Sequence, residues 1–235
     1  MRLDKYLSNA GIGSRKDVKK MIKDERVLVN NHLVKSEKFN VDENKDIVLL
    51  DNQKIDYRQF YYVLINKPQN YVSSTLMERN YPPITDLVSE YSFANLFPVG
   101  RLDVDTVGVL LLTNNGTLAH KLISPKYHVD KVYLVETDYP LQKEMIVAFE
   151  KGVILDGERL LPAKLEILST NKARVTIHQG KYHQVKRMFA HYGLTVISLE
   201  REKFAFLTKG NLKQGEYRLL TDEEVNNLIS LVNGK

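Results

Sequence analysis

The chain has 235 residues, 43% of them hydrophobic and 27% charged, with a formal net charge of +5, the make-up of an ordinary globular protein with room for one large domain or a medium and a small one. It has no cysteine, which excludes disulfides, thiol nucleophiles and cysteine-based zinc sites and fits a reducing cytoplasm. No window reaches the ~18 consecutive apolar residues of a membrane span, and the charged opening MRLDKYLSNAG lacks the apolar centre of a secretory signal, so a cytoplasmic protein with no membrane partner is expected.

Residues 1–40 carry ten Lys and Arg against five Asp and Glu, so the surplus charge sits in the first sixth of the chain. Leu3, Tyr6, Leu7 and Ala10 recur at helical spacing, and Gly11 is placed to end that helix. Ser14 reads as an N-cap with Asp17 three residues on, a capping-box variant. The helix it starts runs to about Asp24 with Val18, Met21 and Ile22 as its buried stripe. Arg15, Lys16, Lys19, Lys20 and Lys23 then share an arc of roughly 140° on the other side. Such a face is either simply solvated or a contact for a polyanion. Asn30-Asn31 predicts a turn between two short strands. "DIVLL" gives one more strand, and "DNQKIDYRQ" reads as a linker.

Beyond it, strands are expected at "YYVLINKP", "GVLLLT", "DKVYLVET", "KARVTIHQ" and "TVISLEREKFAFL". Helices are expected at "GTLAHKLIS", "YPLQKEMIVAFEKGV" (ended by Gly152) and "YHQVKRMFAHYG". Asn114-Asn115-Gly116 reads as the turn closing "GVLLLT". Strands grouped with helices, without strict alternation, argue an α+β fold with a mostly antiparallel mixed sheet flanked by helices.

The chemistry is narrowed by what is missing. There is no HExxH, no P-loop, no GxGxxG and no GxSxG, so metal, nucleotide and serine-hydrolase readings find no support. Ser73-Ser74 reads as a turn. Asp103 and Asp105 remain, two residues apart in a polar stretch before an apolar run. They are too close in sequence to flank one bond as a glycosidase pair does. One nucleophilic or basic Asp fits better, and it needs a cation to hold it ionised. Arg101, Lys181, Lys186 and Arg187 are the candidates; a cap or turn role stays open for either carboxylate.

Two resemblances add to this. RLDKYLSNAGIGSRKDVKKMI with VLVNNHLV resembles the S4 RNA-binding domain, which implies Arg2, Lys5, Ser14, Arg15, Lys16, Lys19, Lys20 and Lys23 as RNA contacts. GRLDVDTVG resembles the GRLDxxTxG motif of the pseudouridine synthases. INKPQNYVSS, KVYLVE and QGKYHQVKRMF resemble, in order, that family's Lys-Pro strand, tyrosine strand and basic helix start. With an S4 domain in front, the arrangement is similar to the RsuA branch, and SPKYHVDKVYLVE and YHQVKRM look more like its small-subunit member than its large-subunit ones.

The resemblance implies an S4 domain over 1–57 and a catalytic domain over 58–235. It implies isomerisation of uridine to pseudouridine in 16S rRNA, at uridine 516 in standard rRNA numbering, without cofactor, metal or guide RNA. The alternatives are a 23S rRNA synthase and a non-catalytic assembly protein. Asp103 is the implied catalytic carboxylate, Tyr133 lies against the base, and Lys186, with Arg187 second, pairs with Asp103. Arg101, Arg187, Lys67, His183 and Gln184 are implied substrate contacts. Thr106 and Gly108 shape the loop. The partner is 16S rRNA or a small-subunit assembly intermediate, and a monomer is expected. Two residues depart from the family pattern: Asn70 stands where Gly is usual, and Asn115 where Asp is.

Overall fold

The computed structural model describes residues 1–234. The chain divides into two compact units, Met1–Tyr61 with Val88–Leu96, and Tyr62–Leu87 with Phe97–Lys235.

In the first unit, α1 (Leu3–Asn9) and α2 (Arg15–Lys23) precede a small sheet of β1 (Val27–Val29), β2 (His32–Leu33), β3 (Val48–Leu50) and β4 (Gln53–Lys54), ordered β2-β1-β3-β4. Leu3, Tyr6, Leu7, Val18, Ile22, Val27, Val29 and Val48 form one buried cluster, so the helical spacing in the sequence becomes the core face. Met21, expected in the buried stripe, is only half-buried. Ser14 and Asp17 form the capping box, with the Asp17 N–H donating to the Ser14 hydroxyl at 3.2 Å and the Ser14 N–H to the Asp17 carboxylate at 3.1 Å. Asn30 and Asn31 both take positive φ, +51° and +63°, the turn that matches a two-residue hairpin. The expected linker is partly structured: Asp51 and Asn52, at φ +50° and +65°, turn the chain into β4, and Tyr57 stacks on Tyr6 with ring centroids 4.7 Å apart.

The second unit is built on β5 (Tyr62–Lys67), β6 (Phe97–Pro98), β7 (Val107–Thr113), β8 (Lys131–Thr137), β9 (Ile154–Leu155), β10 (Glu158–Arg159), β11 (Lys164–Ser169), β12 (Lys172–Ile177), β13 (Val196–Phe204), β14 (Leu207–Thr208) and β15 (Tyr217–Leu219). Its helices are α3 (Gly116–Ile123), α4 (Glu144–Glu150), α5 (Gln184–Ala190) and α6 (Asp222–Asn233). The main sheet runs β11-β12-β8-β13-β7-β5-β15, with β6 beside β7 and β14 beside β13. Its strand pairs are antiparallel except β13 with β7. This is the expected α+β arrangement. Leu64, Val109, Leu111, Leu118, Leu122, Leu228 and Val232 join the sheet, α3 and α6 in one core.

Three features were not anticipated. Asn115 caps α3, its side chain accepting the Leu118 N–H at 3.0 Å, rather than merely turning the chain. The β9–β10 hairpin turns at Asp156 and Gly157, φ +53° and +79°. Helix α6 starts at a second capping box, Thr221 with Glu224.

Candidate active site

The loop 99–106 between β6 and β7 carries both aspartates, and its shape is fixed from behind by residues 67–73. The Lys67 ammonium donates to the carbonyls of Pro68, Val104 and Thr106 at 3.0, 3.3 and 2.9 Å. Asn70 donates its N–H to the Val104 carbonyl at 2.9 Å and sits at φ +65°, so the residue that replaces the usual glycine adopts the left-handed backbone glycine would. The Ser73 hydroxyl both accepts the Leu102 N–H and donates to the Leu102 carbonyl, each at 2.9 Å. Within the loop, the Thr106 N–H closes on the Asp103 carbonyl at 3.1 Å.

Lys186 on α5 joins the two carboxylates. Its ammonium lies 2.6 and 2.8 Å from the oxygens of Asp105 and 3.3 Å from Oδ2 of Asp103. Burial alone would push the Asp105 carboxyl up, but the Lys186 hydrogen bond and charge outweigh it and hold Asp105 below the usual range. His183 Nε2 is 3.5 Å from Oδ1 of Asp103. The His183 backbone is left-handed at φ +46°, and its ring stacks on Tyr182, 3.8 Å between centroids at 17°. Asp103 therefore has a cation on one oxygen and an imidazole near the other.

Beneath this, one register row crosses the sheet. Lys67 on β5 faces Gly108 on β7, Gly108 faces Arg201 on β13, and Arg201 faces Tyr133 on β8. Gly108 is required there: at φ +106°, a Cβ would stand 2.3 Å from the Arg201 carbonyl oxygen. Arg201 is buried, donates through Nε to the Val109 carbonyl at 2.7 Å, and leaves Nη2 buried without a hydrogen-bond partner among the described residues. Lys131, two residues before Tyr133, is also buried, with the Val129 carbonyl at 3.3 Å. Burial lowers the Lys67 ammonium to about 8, against the opposing charges of Asp105 and Asp103. Burial, helped by Arg201, lowers Lys131 to about 8. Three buried cations thus lie in or next to the row that carries Tyr133.

The geometry places the other expected contacts as follows. Lys67 is fully buried, and its ammonium is taken up by three carbonyls that shape the loop. Gln184 is buried too: its Oε1 accepts the Lys181 N–H at 3.0 Å and its amide points to the Met188 sulfur. Arg187 pairs with Asp156 of the β9–β10 turn, not with Asp103, and Lys181 pairs with Glu158 of the same hairpin. Arg101 is exposed but held by both oxygens of Glu78, at 3.0 and 2.6 Å. Among the expected RNA contacts, Lys5, Arg15, Lys16, Lys20 and Lys23 are exposed. Lys19 lies 3.6 Å from Glu37, Arg2 is engaged by buried Asp4 at 2.8 Å, and the Ser14 hydroxyl is committed to its helix cap.

Sequence reasoning missed Arg201, Ser73 and Glu78. Arg201 sits in the run Glu-Arg-Glu, which looks solvent-facing; only the uninterrupted strand pattern around it hinted at burial. No group of His, Asp and Glu that could hold a metal ion occurs among the described residues, and no helix there is long and apolar enough to cross a membrane.

Comparison with known proteins bears on both units. A family model described as RNA pseudouridylate synthase matches residues 61–191, and one described as S4 domain matches residues 1–47. An uncharacterized RNA pseudouridine synthase of Bacillus subtilis is 42% identical, over 96% of this chain and 97% of its own length. Proteins named ribosomal small subunit pseudouridine synthase A are similar at 40% in Vibrio cholerae (96% of this chain, 98% of that one) and 37% in Escherichia coli K12 (97% and 100%). A crystal structure described as a pseudouridylate synthase superposes with a TM-score of 0.68 at 36% identity, covering 97% of this chain and 99% of the other.

Proposed function

Because this chain belongs to the RNA pseudouridylate synthase family and carries an S4 domain, we propose that it converts one uridine of small-subunit ribosomal RNA to pseudouridine, with uridine 516 of 16S rRNA as its target. The small-subunit assignment is supported by the relatives of that name at 37–40% identity over nearly their whole length. The observation that carries the chemistry is Asp103, presented on a loop pinned at Leu102 and Val104 and held against Lys186 at 3.3 Å.

The reaction is an isomerisation. The bond from ribose C1′ to N1 breaks, a bond from C1′ to C5 forms, C5 loses a proton and N1 gains one. Asp103 acts at the ribose, either by attacking C1′ or by removing the 2′ proton; both routes detach uracil with its electron pair, so negative charge develops on the base. Lys186, 3.3 Å from its carboxylate, holds Asp103 in place as its counter-charge. Tyr133 lies against the detached base and takes part in transfer of the C5 proton. Arg101 and His183 hold the extruded nucleotide. The exposed cations of α2, with Lys5, contact phosphate and contribute a salt-dependent affinity with little sequence preference. The protein works in the cytoplasm as a monomer, without guide RNA or cofactor.

The test is a pseudouridine map of unmodified 16S and 23S rRNA, naked and as partly assembled particles, after incubation with the protein. One new site in 16S is expected. A site only in 23S moves the protein to large-subunit substrates, and none in either RNA, with binding intact, makes it an assembly protein.

A further inference from the structure

Within the second unit, the chain between Val72 and Ile84 runs out as a loop and returns to the same place. At its neck Val72 donates to the Pro82 carbonyl at 3.0 Å and accepts the Ile84 N–H at 2.9 Å. Toward its tip, Glu78 and Tyr81 exchange backbone hydrogen bonds of 3.2 and 2.9 Å around Arg79 and Asn80, at φ +49° and +68°. That is the two-residue turn whose twist suits a hairpin. The Ser74 hydroxyl accepts the Leu76 N–H at 3.1 Å. The loop is firmly built, yet it presents Leu76 at 72% exposure and Met77 at 66%. Such surface gives the fold nothing and is free to make a contact.

Two ties set where this loop stands. Ser73, at its start, is bonded to Leu102, and Glu78, near its tip, grips Arg101. Leu102 and Arg101 are the two residues before Asp103. An apolar pair is thus carried on a loop tied to the two residues before Asp103, and two exposed guanidinium groups, Arg79 and Arg101, belong to the same loop and its tie.

We propose that the loop 73–83 is the element that extracts the target uridine: Leu76 and Met77 enter the base stack beside it and fill the room it leaves. This rests on the reading that the substrate is a uridine in folded ribosomal RNA. The uridine must leave its stack for Asp103 to reach the ribose. Leucine and methionine are among the side chains that proteins wedge between base steps. The flanking cations favour a polyanion over a protein surface. The fork that Glu78 makes with Arg101 has the geometry of an arginine–phosphate pair, so Glu78 stands where a phosphate of the entering strand binds, and Arg101 exchanges one for the other.

The experiment uses single-turnover kinetics of the full-length protein and Leu76→Ser/Met77→Ser on two transcripts of the rRNA fragment that the protein modifies. In one the target uridine is paired; in the other it is bulged and already unstacked. The ratio of the paired to the bulged rate is expected to fall at least ~10-fold in the variant, and Leu76→Phe/Met77→Leu is expected to restore it. A 2-aminopurine beside the target reports the same loss of unstacking. An unchanged ratio overturns the proposal: if both rates also hold, Leu76 and Met77 face a protein partner instead, and if both fall equally, the loop serves the chemistry rather than the unstacking. Absence of wild-type turnover on any ribosomal RNA overturns the functional reading and this proposal with it.

Discussion

Lys186 grips Asp105 more closely than it grips Asp103: 2.6 and 2.8 Å to the oxygens of the first, 3.3 Å to one oxygen of the second. The ammonium charge is therefore divided. Asp103 meets it through one oxygen and keeps the other free of it, whereas Asp105 takes the larger share.

Replacing Asp105 by Asn gives that share to Asp103. The closer ammonium then draws on the Asp103 carboxylate alone and lowers its reactivity. Turnover of Asp105→Asn is expected to fall about tenfold, the effect of ~1.4 kcal/mol at the transition state. Asp103→Asn is expected to fall at least ~10³-fold while RNA affinity stays within about threefold. An Asp105→Asn enzyme as fast as wild type would show that Lys186 is not shared in the working enzyme.

The basic face of α2 makes a second expectation measurable. Lys20 is exposed and Lys19 is loosely held by Glu37 at 3.6 Å, a surface pair worth little. Lys19→Glu with Lys20→Glu is expected to weaken RNA binding. The slope of log affinity against log salt should become shallower by about 1.4–1.8, since each lost phosphate contact removes roughly 0.7–0.9. Filter binding from low to moderate salt reads it. An unchanged slope would return this face to plain solvation.

Much of this site was legible, and what was not has one physical cause. Ser14 with Asp17, Asn30 with Asn31, and the left-handed Asn70 are local: the residues that decide them lie within three positions. The partners around Asp103 are not local. Ser73 meets Leu102 across 29 positions and Lys186 meets Asp105 across 81. A motif names Lys186 and Arg187 as neighbours on one helix, but 100° of rotation sends the first to the aspartates and the second to Asp156. In the same way Lys67 and Gln184 read as polar residues available to a ligand, because nothing in the chain shows that the sheet and α5 bury them.

Ser73 offers a test of how far the loop geometry matters. Its hydroxyl is the partner of both backbone groups of Leu102, in a buried position. Ser73→Ala leaves an N–H and a carbonyl unpaired, at a cost of about 1–3 kcal/mol. Urea unfolding should show that loss, and kcat should fall more than KM rises, because the residue after Leu102 is Asp103. A stability loss with kcat intact would mean the other ties, from Lys67 and Asn70, suffice to hold the carboxylate.

Lys131 gives the pH dependence. Burial first, then the charge of Arg201, lowers its ammonium from 10.5 to about 8, with Asp130 opposing. Below pH 8 the lysine is protonated in both the folded and the unfolded chain, and the folded chain bears the full penalty of a buried charge. Between pH 8 and 10.5 the unfolded chain binds more protons than the folded one, so stability rises with pH through that window. Lys67 contributes in the same direction. Above pH 10 the buried tyrosines, Tyr6 and Tyr62, whose phenols burial pushes up, act the other way. Lys131→Met removes one buried ammonium for the loss of a 3.3 Å hydrogen bond and of a cation–π contact 6.0 Å from the Phe204 ring centroid. The variant is expected to be more stable than wild type at pH 7, by about 1–3 kcal/mol, with the difference shrinking toward pH 10. Urea midpoints at pH 7, 8.5 and 10 decide it. A variant destabilised equally at all three would mean that the Lys131 charge is compensated and its methylene packing is what counts.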